Sequence, residues 1–212
     1  MITAAPPIRH EVVLGRSEHG RPIVAWETGD PQAKRRVLVV GCIHGNEPAG
    51  IAIADAVVRA RVPAGTDVWV VPDLNPDGVA AGTRQNARGV DLNRNFPYRW
   101  QPLSGVFYSG PRALSERESR IAYHLIRRIH PTMSIWFHQH LDVVDESGGD
   151  VRVEQRFARA VGMRPERLTR YPGSVIGWEN HTFPGTTSFA VELPAGPVPA
   201  QRLPIFTHAI LR

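Results

Sequence analysis

The sequence feature that most constrains the fold is an apolar run at residues 36–42, followed at once by a glycine-rich loop and a helical pattern. After Arg36 the run reads VLVVGC and has no polar face, which is typical of a strand covered on both sides of a sheet. Apolar residues then recur at helical spacing over 49–60, and Pro48 suits the first turn of a helix. A buried strand, a loop containing HGNE and a helix therefore follow one another.

The same alternation continues along the chain. Residues 9–16 and 21–28 alternate apolar and polar side chains around a Ser-Glu-His-Gly turn, which predicts a hairpin at a sheet edge. Further strands are predicted at 67–71, 133–137 and 187–193, and helices at 118–129, at 151–161 and, weakly, from Gln201. Strands that alternate with helices predict a single α/β domain over residues 1–212. Its sheet should be mixed, mainly parallel and twisted, with helices on both faces.

Turn and cap signals mark the connections. Asn75-Pro76-Asp77-Gly78 predicts a turn, and Ser115 with Glu118 is a capping-box pattern ahead of the helix that Pro131 ends. Residues 82–111 show no sustained period, so we expect a long functional loop with a short extended piece at 90–93.

Composition narrows the class of protein. Hydrophobic residues make up 42% and charged residues 21% of 212 residues, values typical of a globular chain. The net charge of +5 comes from scattered arginines without interleaved aromatics, so we expect no nucleic-acid partner. No apolar run is long enough to span a bilayer, and residues 1–10 lack the pattern of a secretory signal, so we expect no membrane partner and a cytoplasmic location. The one cysteine, Cys42, is expected to be a buried small hydrophobe.

Three polar side chains form a candidate metal site. His44 and Glu47 lie three apart on the loop after the buried strand, a spacing at which an imidazole nitrogen and a carboxylate oxygen can converge on one cation. A third ligand should come from another strand end, where His138 follows the run 133–137 and His140 is the alternative. We favour His138 because it follows the apolar strand directly. Two histidines, one carboxylate and an open fourth position are the arrangement of a catalytic zinc, one ion per chain.

Catalysis at such a site needs a base and positive groups. Glu192 is the candidate base, since it comes directly after the apolar residues of the predicted strand 187–193. Arg84 and Arg94 lie in the long loop near amide side chains, including Asn93, and guanidinium and amide donors of this kind bind a carboxylate through paired hydrogen bonds. We expect His44, Glu47, His138 and Glu192 to meet just beyond the carboxyl ends of strands.

These motifs resemble the zinc carboxypeptidase family. HGNE at 44–47, DLNRNF at 91–96, His138 and VEL at 191–193 occur in the family's order, and the likeness covers nearly the whole chain. More narrowly, NPDG at 75–78, the run GTRQNARGVDLNRNFP and the HGNEPAG loop look like the murein peptide amidase A branch, which removes diamino acids from γ-D-glutamyl links in cell-wall peptides.

The resemblance implies a role for each matched position. His44, Glu47 and His138 would bind zinc, Glu192 would be the general base and acid, and Arg84 would stabilise the oxyanion. Asn93 and Arg94 would hold a terminal carboxylate, so the expected partner is a small peptide with a free carboxylate.

The departures from the family pattern leave other interpretations open. Classical carboxypeptidases have an arginine where this chain has Asn46, which makes digestion of ordinary proteins the less favoured activity. Their substrate-binding tyrosine has only candidates here, Tyr171 and Tyr108. One alternative is a zinc deacylase of the succinylglutamate desuccinylase or aspartoacylase type, although the DLNRNF run favours the peptidases. The other is a catalytically silent module that binds cell-wall peptides.

Overall fold

The computed structural model of the chain describes residues 9–212, so most of the segment considered for a secretory signal lies outside the described residues. The described residues form one sheet of eight strands, in the order β1-β2-β4-β3-β5-β8-β6-β7. The strands are β1 (Arg9–Arg16), β2 (Pro22–Gly29), β3 (Arg35–Val40), β4 (Thr66–Val71), β5 (Met133–Gln139), β6 (Val143–Asp145), β7 (Arg164–Glu166) and β8 (Thr187–Leu193).

Parallel pairing holds the centre of the sheet together. β3 pairs in parallel with β4 and β5, and β5 pairs in parallel with β8. Antiparallel pairing joins β1 to β2, β2 to β4, and β6 to β8. The predicted hairpin at 9–28 is confirmed, and β1 forms one edge of the sheet. The expectation of a mixed, mainly parallel sheet in an α/β fold is therefore confirmed.

Helices cover both faces of the sheet. They are α1 (Gly50–Arg59), α2 (Pro76–Ala81), α3 (Arg117–Ile129), α4 (Val151–Val161), α5 (Val175–Thr182) and α6 (Leu203–Leu211). Helices α1, α4 and α6 share one apolar cluster with the sheet, and α3 and α5 share the other. The central strands β3 and β4 contribute alternate residues to both clusters, which explains why their sequences have no polar face. No helix within residues 9–212 has the length and apolarity needed to cross a membrane.

Three local predictions were wrong. Asn75 is not part of an isolated turn but the N-cap of α2, where its side chain accepts a hydrogen bond from the Gly78 amide. Residues 90–93 are not an extended piece throughout: the backbone is extended at Asp91, but the Asp91 side chain caps a single 3₁₀ turn at Leu92–Arg94. The capping box is absent too: Glu116 is the N-cap of α3 without a side-chain cap, and the Ser115 hydroxyl donates to Glu116 instead.

The end of one strand also differs from the prediction. β8 spans Thr187–Leu193 as predicted and includes Glu192, but His138 does not follow its strand: it lies within β5, where it is the direct register partner of Glu192. Because residues paired across neighbouring strands face the same side of a sheet, this register brings the two side chains to one place. β6, β7 and α5 were not predicted from the sequence. β6 and α5 contribute residues to the cleft described below, and β7 pairs with β6.

Candidate metal centre and substrate cleft

The loop between β3 and α1 carries His44 and Glu47 into a tight, buried position. Both residues are at least nine-tenths buried, and the Glu47 amide donates to the His44 carbonyl. Gly45 makes this packing possible, because a Cβ at that position would collide with the backbone of Gly78 in α2. Cys42, on the same loop, is fully buried as expected, and burial raises the pKa of its thiol far above the usual range.

His138 completes a convergent group of three. Its Nδ1 lies 2.9 Å from Glu47 Oε2 and 3.2 Å from His44 Nδ1, and His44 Nδ1 lies 3.0 Å from the same Glu47 oxygen. His44, Glu47 and His138 are all buried and could hold one metal ion. His140, the alternative ligand, is exposed and lines the cleft without joining this group.

The spacing of the three atoms suits zinc. Ligand atoms about 2.0–2.1 Å from a tetrahedral zinc ion lie about 3.3 Å from one another, close to the separations of 2.9–3.2 Å found here. Two imidazole nitrogens and one carboxylate oxygen also match the donor set of catalytic zinc sites, which leave a position open for water or substrate. The residues present therefore fit a single zinc ion.

Asp91 contacts His44 on the side of the ring that faces away from Glu47 and His138, a role that was not predicted from the sequence. Its Oδ1 lies 3.0 Å from His44 Nε2, and its Oδ2 accepts a hydrogen bond of 2.9 Å from Arg84 Nε. An ionised carboxylate only accepts, so Nε2 of His44 carries a proton in this contact, and a bound metal ion would take the place of any proton on Nδ1. The signal in the sequence was the Asp91-x-Asn93 spacing, in which the aspartate accepts from the amide two residues on.

The charges of the group follow from these contacts. Burial alone would raise the pKa of Glu47, but hydrogen bonds from His138 and His44 outweigh it and hold that pKa well below the usual range. Burial would lower the pKa of His44, and hydrogen bonds to Asp91 and Glu47 reverse that effect and raise it. Glu47 is therefore a carboxylate, as a metal ligand must be.

Glu192 lies beside this group without joining it. Burial raises the pKa of its carboxyl group, and its Oε2 is buried with no hydrogen-bond partner among the described residues. Glu192 lines the same cleft as the three candidate ligands. A carboxyl group with a free, desolvated oxygen at this place is suited to proton transfer.

Two arginines from the long loop reach the cleft. Arg84 Nη1 lies 3.0 Å from Glu47 Oε1, so this guanidinium is shared between Glu47 and Asp91. Arg94 is nine-tenths buried or more, donates from Nη1 to the Asn93 carbonyl, and has no hydrogen-bond partner for its buried Nε among residues 9–212. An incompletely paired guanidinium in a cavity is a ready site for a carboxylate.

Aromatic and amide groups fix the position of Arg94. Its guanidinium carbon lies 4.3 Å from the ring centre of Tyr171 and 5.4 Å from that of Phe107, and these two rings stack on each other. Asn93 Oδ1 accepts from the Val175 amide, which ties the loop to the start of α5. Of the two candidate tyrosines, Tyr171 lines the cleft and Tyr108 does not appear in its described walls.

One cavity of about 900 Å³ lies at the carboxyl end of the central strands, and its walls include His44, Glu47, His138, Glu192, Arg84, Asn93, Arg94, Phe107 and Tyr171. An α/β sheet with a buried His-Glu-His group, an adjacent free carboxyl group and cationic walls defines a metal-dependent hydrolase. The zinc carboxypeptidase family model matches residues 1–145, and the chain belongs to this family. Zinc is the metal that this family uses, and the His-Glu-His group could hold it.

Sequence comparison finds relatives within this family. Murein peptide amidase A of Escherichia coli K12 is 32% identical over 146 residues, a match that spans 62% of this chain and 60% of the relative. The same enzyme of Vibrio campbellii is 31% identical and covers similar shares. The matched stretch is thus less than two thirds of the length of either relative.

Solved structures extend the likeness beyond the matched stretch. The murein-tripeptide amidase of Escherichia coli O157 superposes with a TM-score of 0.78 at 25% identity and covers 99% of this chain and 94% of its own. Carboxypeptidase A of Helicoverpa armigera reaches a TM-score of 0.80 at 18% identity, with 97% of this chain and 67% of its own covered, which establishes the shared fold alone.

Proposed function

We propose that the protein is a zinc-dependent amidase that cleaves a γ-D-glutamyl–diamino acid bond in murein peptides. The reaction is hydrolysis of an amide near a free carboxylate. The similarity to murein peptide amidases supports this substrate class, as does Asn46, which stands where classical carboxypeptidases have an arginine.

In this proposal His44, Glu47 and His138 hold the zinc ion. A bound zinc ion would polarise the scissile carbonyl and lower the pKa of a water molecule to about 7. Asp91 orients His44 through Nε2, so that Nδ1 is presented as a ligand. Glu192 takes a proton from the attacking water at its free Oε2 and returns it to the leaving amine.

Cationic side chains bind the charges of the substrate and of the transition state. Arg84 faces the metal group and stabilises negative charge that develops on the carbonyl oxygen. Arg94 and Asn93 bind the terminal carboxylate of the substrate, with Tyr171 stacked on the guanidinium. The partner is accordingly a small peptide that ends in a carboxylate.

One observation carries the proposal: Glu192 and Arg94, which line the cleft that contains the His-Glu-His group, each have a buried side-chain atom, Oε2 and Nε, with no hydrogen-bond partner within residues 9–212. Leaving such atoms unpaired is costly in a folded protein unless a ligand or water satisfies them. A substrate carboxylate satisfies the arginine, and a water positioned for attack satisfies the glutamate.

The test is hydrolysis of a murein tripeptide by the purified, zinc-loaded protein. We expect chelation to abolish turnover, and Glu192→Gln to lower kcat by about 10²- to 10⁴-fold while zinc content stays at one ion per chain. Glu166→Gln changes a half-buried carboxylate that is paired with Arg164 outside the cleft, and it is the matched control, expected to have no effect. Unchanged turnover in Glu192→Gln would refute the mechanism.

A panel of substrates separates the alternatives. Cleavage of α-linked peptides only would refute the murein assignment and keep the family's chemistry. Hydrolysis of N-acyl amino acids in place of peptides would point to a deacylase. A protein that takes up no zinc and cleaves nothing would be the silent binding module.

A further inference from the structure

A third carboxylate lines the cleft and has no part in the proposed chemistry. Asp145 is the last residue of β6 and is only 5% exposed. In the antiparallel pairing of β6 with β8, Val143 lies opposite Glu192 and Val144 opposite Val191. The next step of that register brings Asp145 beside Ala190, which lies on the same face as Glu192 and also lines the cleft.

The strand geometry sets the distance from the reaction centre. Two residues along β8 and one strand across place the Asp145 backbone about 8 Å from that of Glu192. Because Ala190 precedes Glu192, Asp145 lies deeper in the cleft, towards the middle of the sheet. A group bound there would belong to the part of the substrate beyond the scissile bond.

The Asp145 carboxylate accepts hydrogen bonds only from neutral donors among the described residues. Oδ1 accepts from the amides of Ser147, at 2.9 Å, and Leu168, at 3.2 Å, and Oδ2 accepts from the Ser147 hydroxyl at 2.8 Å. A carboxylate has about four acceptor positions, so Oδ2 can take one more donor. Among the ion pairs formed by residues 9–212, none involves Asp145.

A buried, unpaired carboxylate is costly unless a cation completes it. Four arginines line the cleft. Arg84 and Arg94 are on the loop side and are engaged with Asp91, Glu47 and the aromatic rings, and neither Arg99 nor Arg170 forms an ion pair with Asp145. Asp145 is thus an acidic position of the cleft outside the candidate metal group, and no cation of the described residues is paired with it. A ligand with both a carboxylate and an ammonium group is complementary to this arrangement.

We propose that Asp145 binds the side-chain ammonium of the diamino acid that leaves on hydrolysis, and so selects diamino acids as leaving groups. This assignment rests on the proposed amidase function and gives the substrate its second charged contact. An amine on a stem of about four carbons can reach from the scissile bond to this depth of the cleft.

The experiment compares two substrates that differ only in that amine. L-Ala-γ-D-Glu-L-Lys carries the ammonium, and L-Ala-γ-D-Glu-L-norleucine has the same stem without it. The readout is the ratio of their kcat/KM values. We expect the unmodified protein to prefer the lysine peptide, and Asp145→Asn to reduce the ratio by about 10- to 100-fold, the range for loss of a charged hydrogen bond. Asparagine keeps the acceptor for the two amides, and the Ser147 hydroxyl can accept from its NH₂ group.

Glu146→Gln is the matched control. Glu146 adjoins Asp145 but contacts Gln155 and does not line the cleft, so the ratio should stay as in the unmodified protein. A purely structural role of Asp145, as an anchor for the segment at Leu168, would lower both kcat/KM values together and leave the ratio unchanged, which overturns the proposal.

The unmodified protein provides a test that needs no folded variant. A ratio near one, with both peptides cleaved in a zinc-dependent way, would reject the role of Asp145 and leave the amidase function standing. Failure to cleave either peptide would reject the amidase function, and the assignment of Asp145 with it.

Discussion

Replacement of Asp91 by asparagine tests whether the hydrogen bonds behind His44 control zinc binding. The change preserves size and burial but removes the negative charge shared by His44 Nε2 and Arg84 Nε. An asparagine can offer an oxygen to only one of these two donors, and its NH₂ group must then face the other. The imidazole is no longer held with Nδ1 towards the metal position.

The expected magnitude follows from the two hydrogen bonds that this substitution removes or weakens. A hydrogen bond to a charged group contributes about 1.5–3 kcal/mol. Loss of a partner that orients a metal-binding histidine lowers metal affinity by about 10- to 100-fold, which corresponds to about 1.4–2.7 kcal/mol. The two ranges agree, so we expect the Kd for zinc to rise by about 10- to 100-fold in Asp91→Asn.

The assay is a competition titration of zinc between the protein and a chromophoric chelator at fixed pH. Asp77→Asn is the matched control, because Asp77 is also buried and ion-paired, with Arg21, but lies on α2 outside the cleft. It should lower stability and leave the Kd for zinc unchanged. A folded Asp91→Asn protein with the Kd of the unmodified protein would refute the reasoning, even if its activity fell, since Asp91 would then act through Arg84 alone.

Two further substitutions test the arginine proposed to bind the substrate carboxylate and a buried glutamate of the core. Arg94→Ala should raise KM for the murein tripeptide by about 10- to 100-fold with a smaller effect on kcat, because the substrate carboxylate loses its charged donors. Arg164→Ala is the control: Arg164 is exposed and paired with Glu166, so neither KM nor kcat should change. A tripeptide KM unaffected by Arg94→Ala would exclude the carboxylate role. Glu179 is fully buried, and burial raises its carboxyl pKa from 4.5 to about 7. The folded protein therefore holds a proton that the unfolded chain releases between these values, so the unfolding free energy should fall by about 3 kcal/mol as pH rises across that window. Urea denaturation at pH 5 and pH 8 should show this fall reduced in Glu179→Gln, and an equal fall in both proteins would contradict it.

The strands that position the site could be predicted because burial on both faces leaves a clear pattern in a sequence. β3, β4 and β8 are covered on both faces, and an uninterrupted apolar run has few other structural explanations. The loop with His44 and Glu47 follows directly from the end of β3. The convergence of His138 and Glu192 could not be derived in the same way, because it depends on which strands are neighbours and in what register.

The elements that escaped prediction lack a periodic signal. β6 and β7 have three residues each, too few for an alternation to be recognised. Helix α5 contains Gly177 and Asn180 and buries Glu179, so its sequence shows neither helical propensity nor a clean apolar stripe. These segments hold the wall opposite the metal group, and Asp145, which they carry, was missed for that reason.

Three glutamates, two of them buried and one half-buried, show why residue type alone did not assign the chemistry. Burial pushes the pKa of Glu47, Glu179 and Glu192 upward in each case. Glu179 meets only neutral donors, from Ser134, Trp136 and Ser188, and its pKa stays near 7. Glu47 receives hydrogen bonds from two imidazoles, which reverse the shift and keep it charged. Glu192 is close enough to feel the histidines but bonds to neither, so it combines a raised pKa with a free oxygen. The proposed division between a metal ligand and a proton acceptor therefore rests on the register and the loop geometry, which give Glu47 two histidine contacts and Glu192 none.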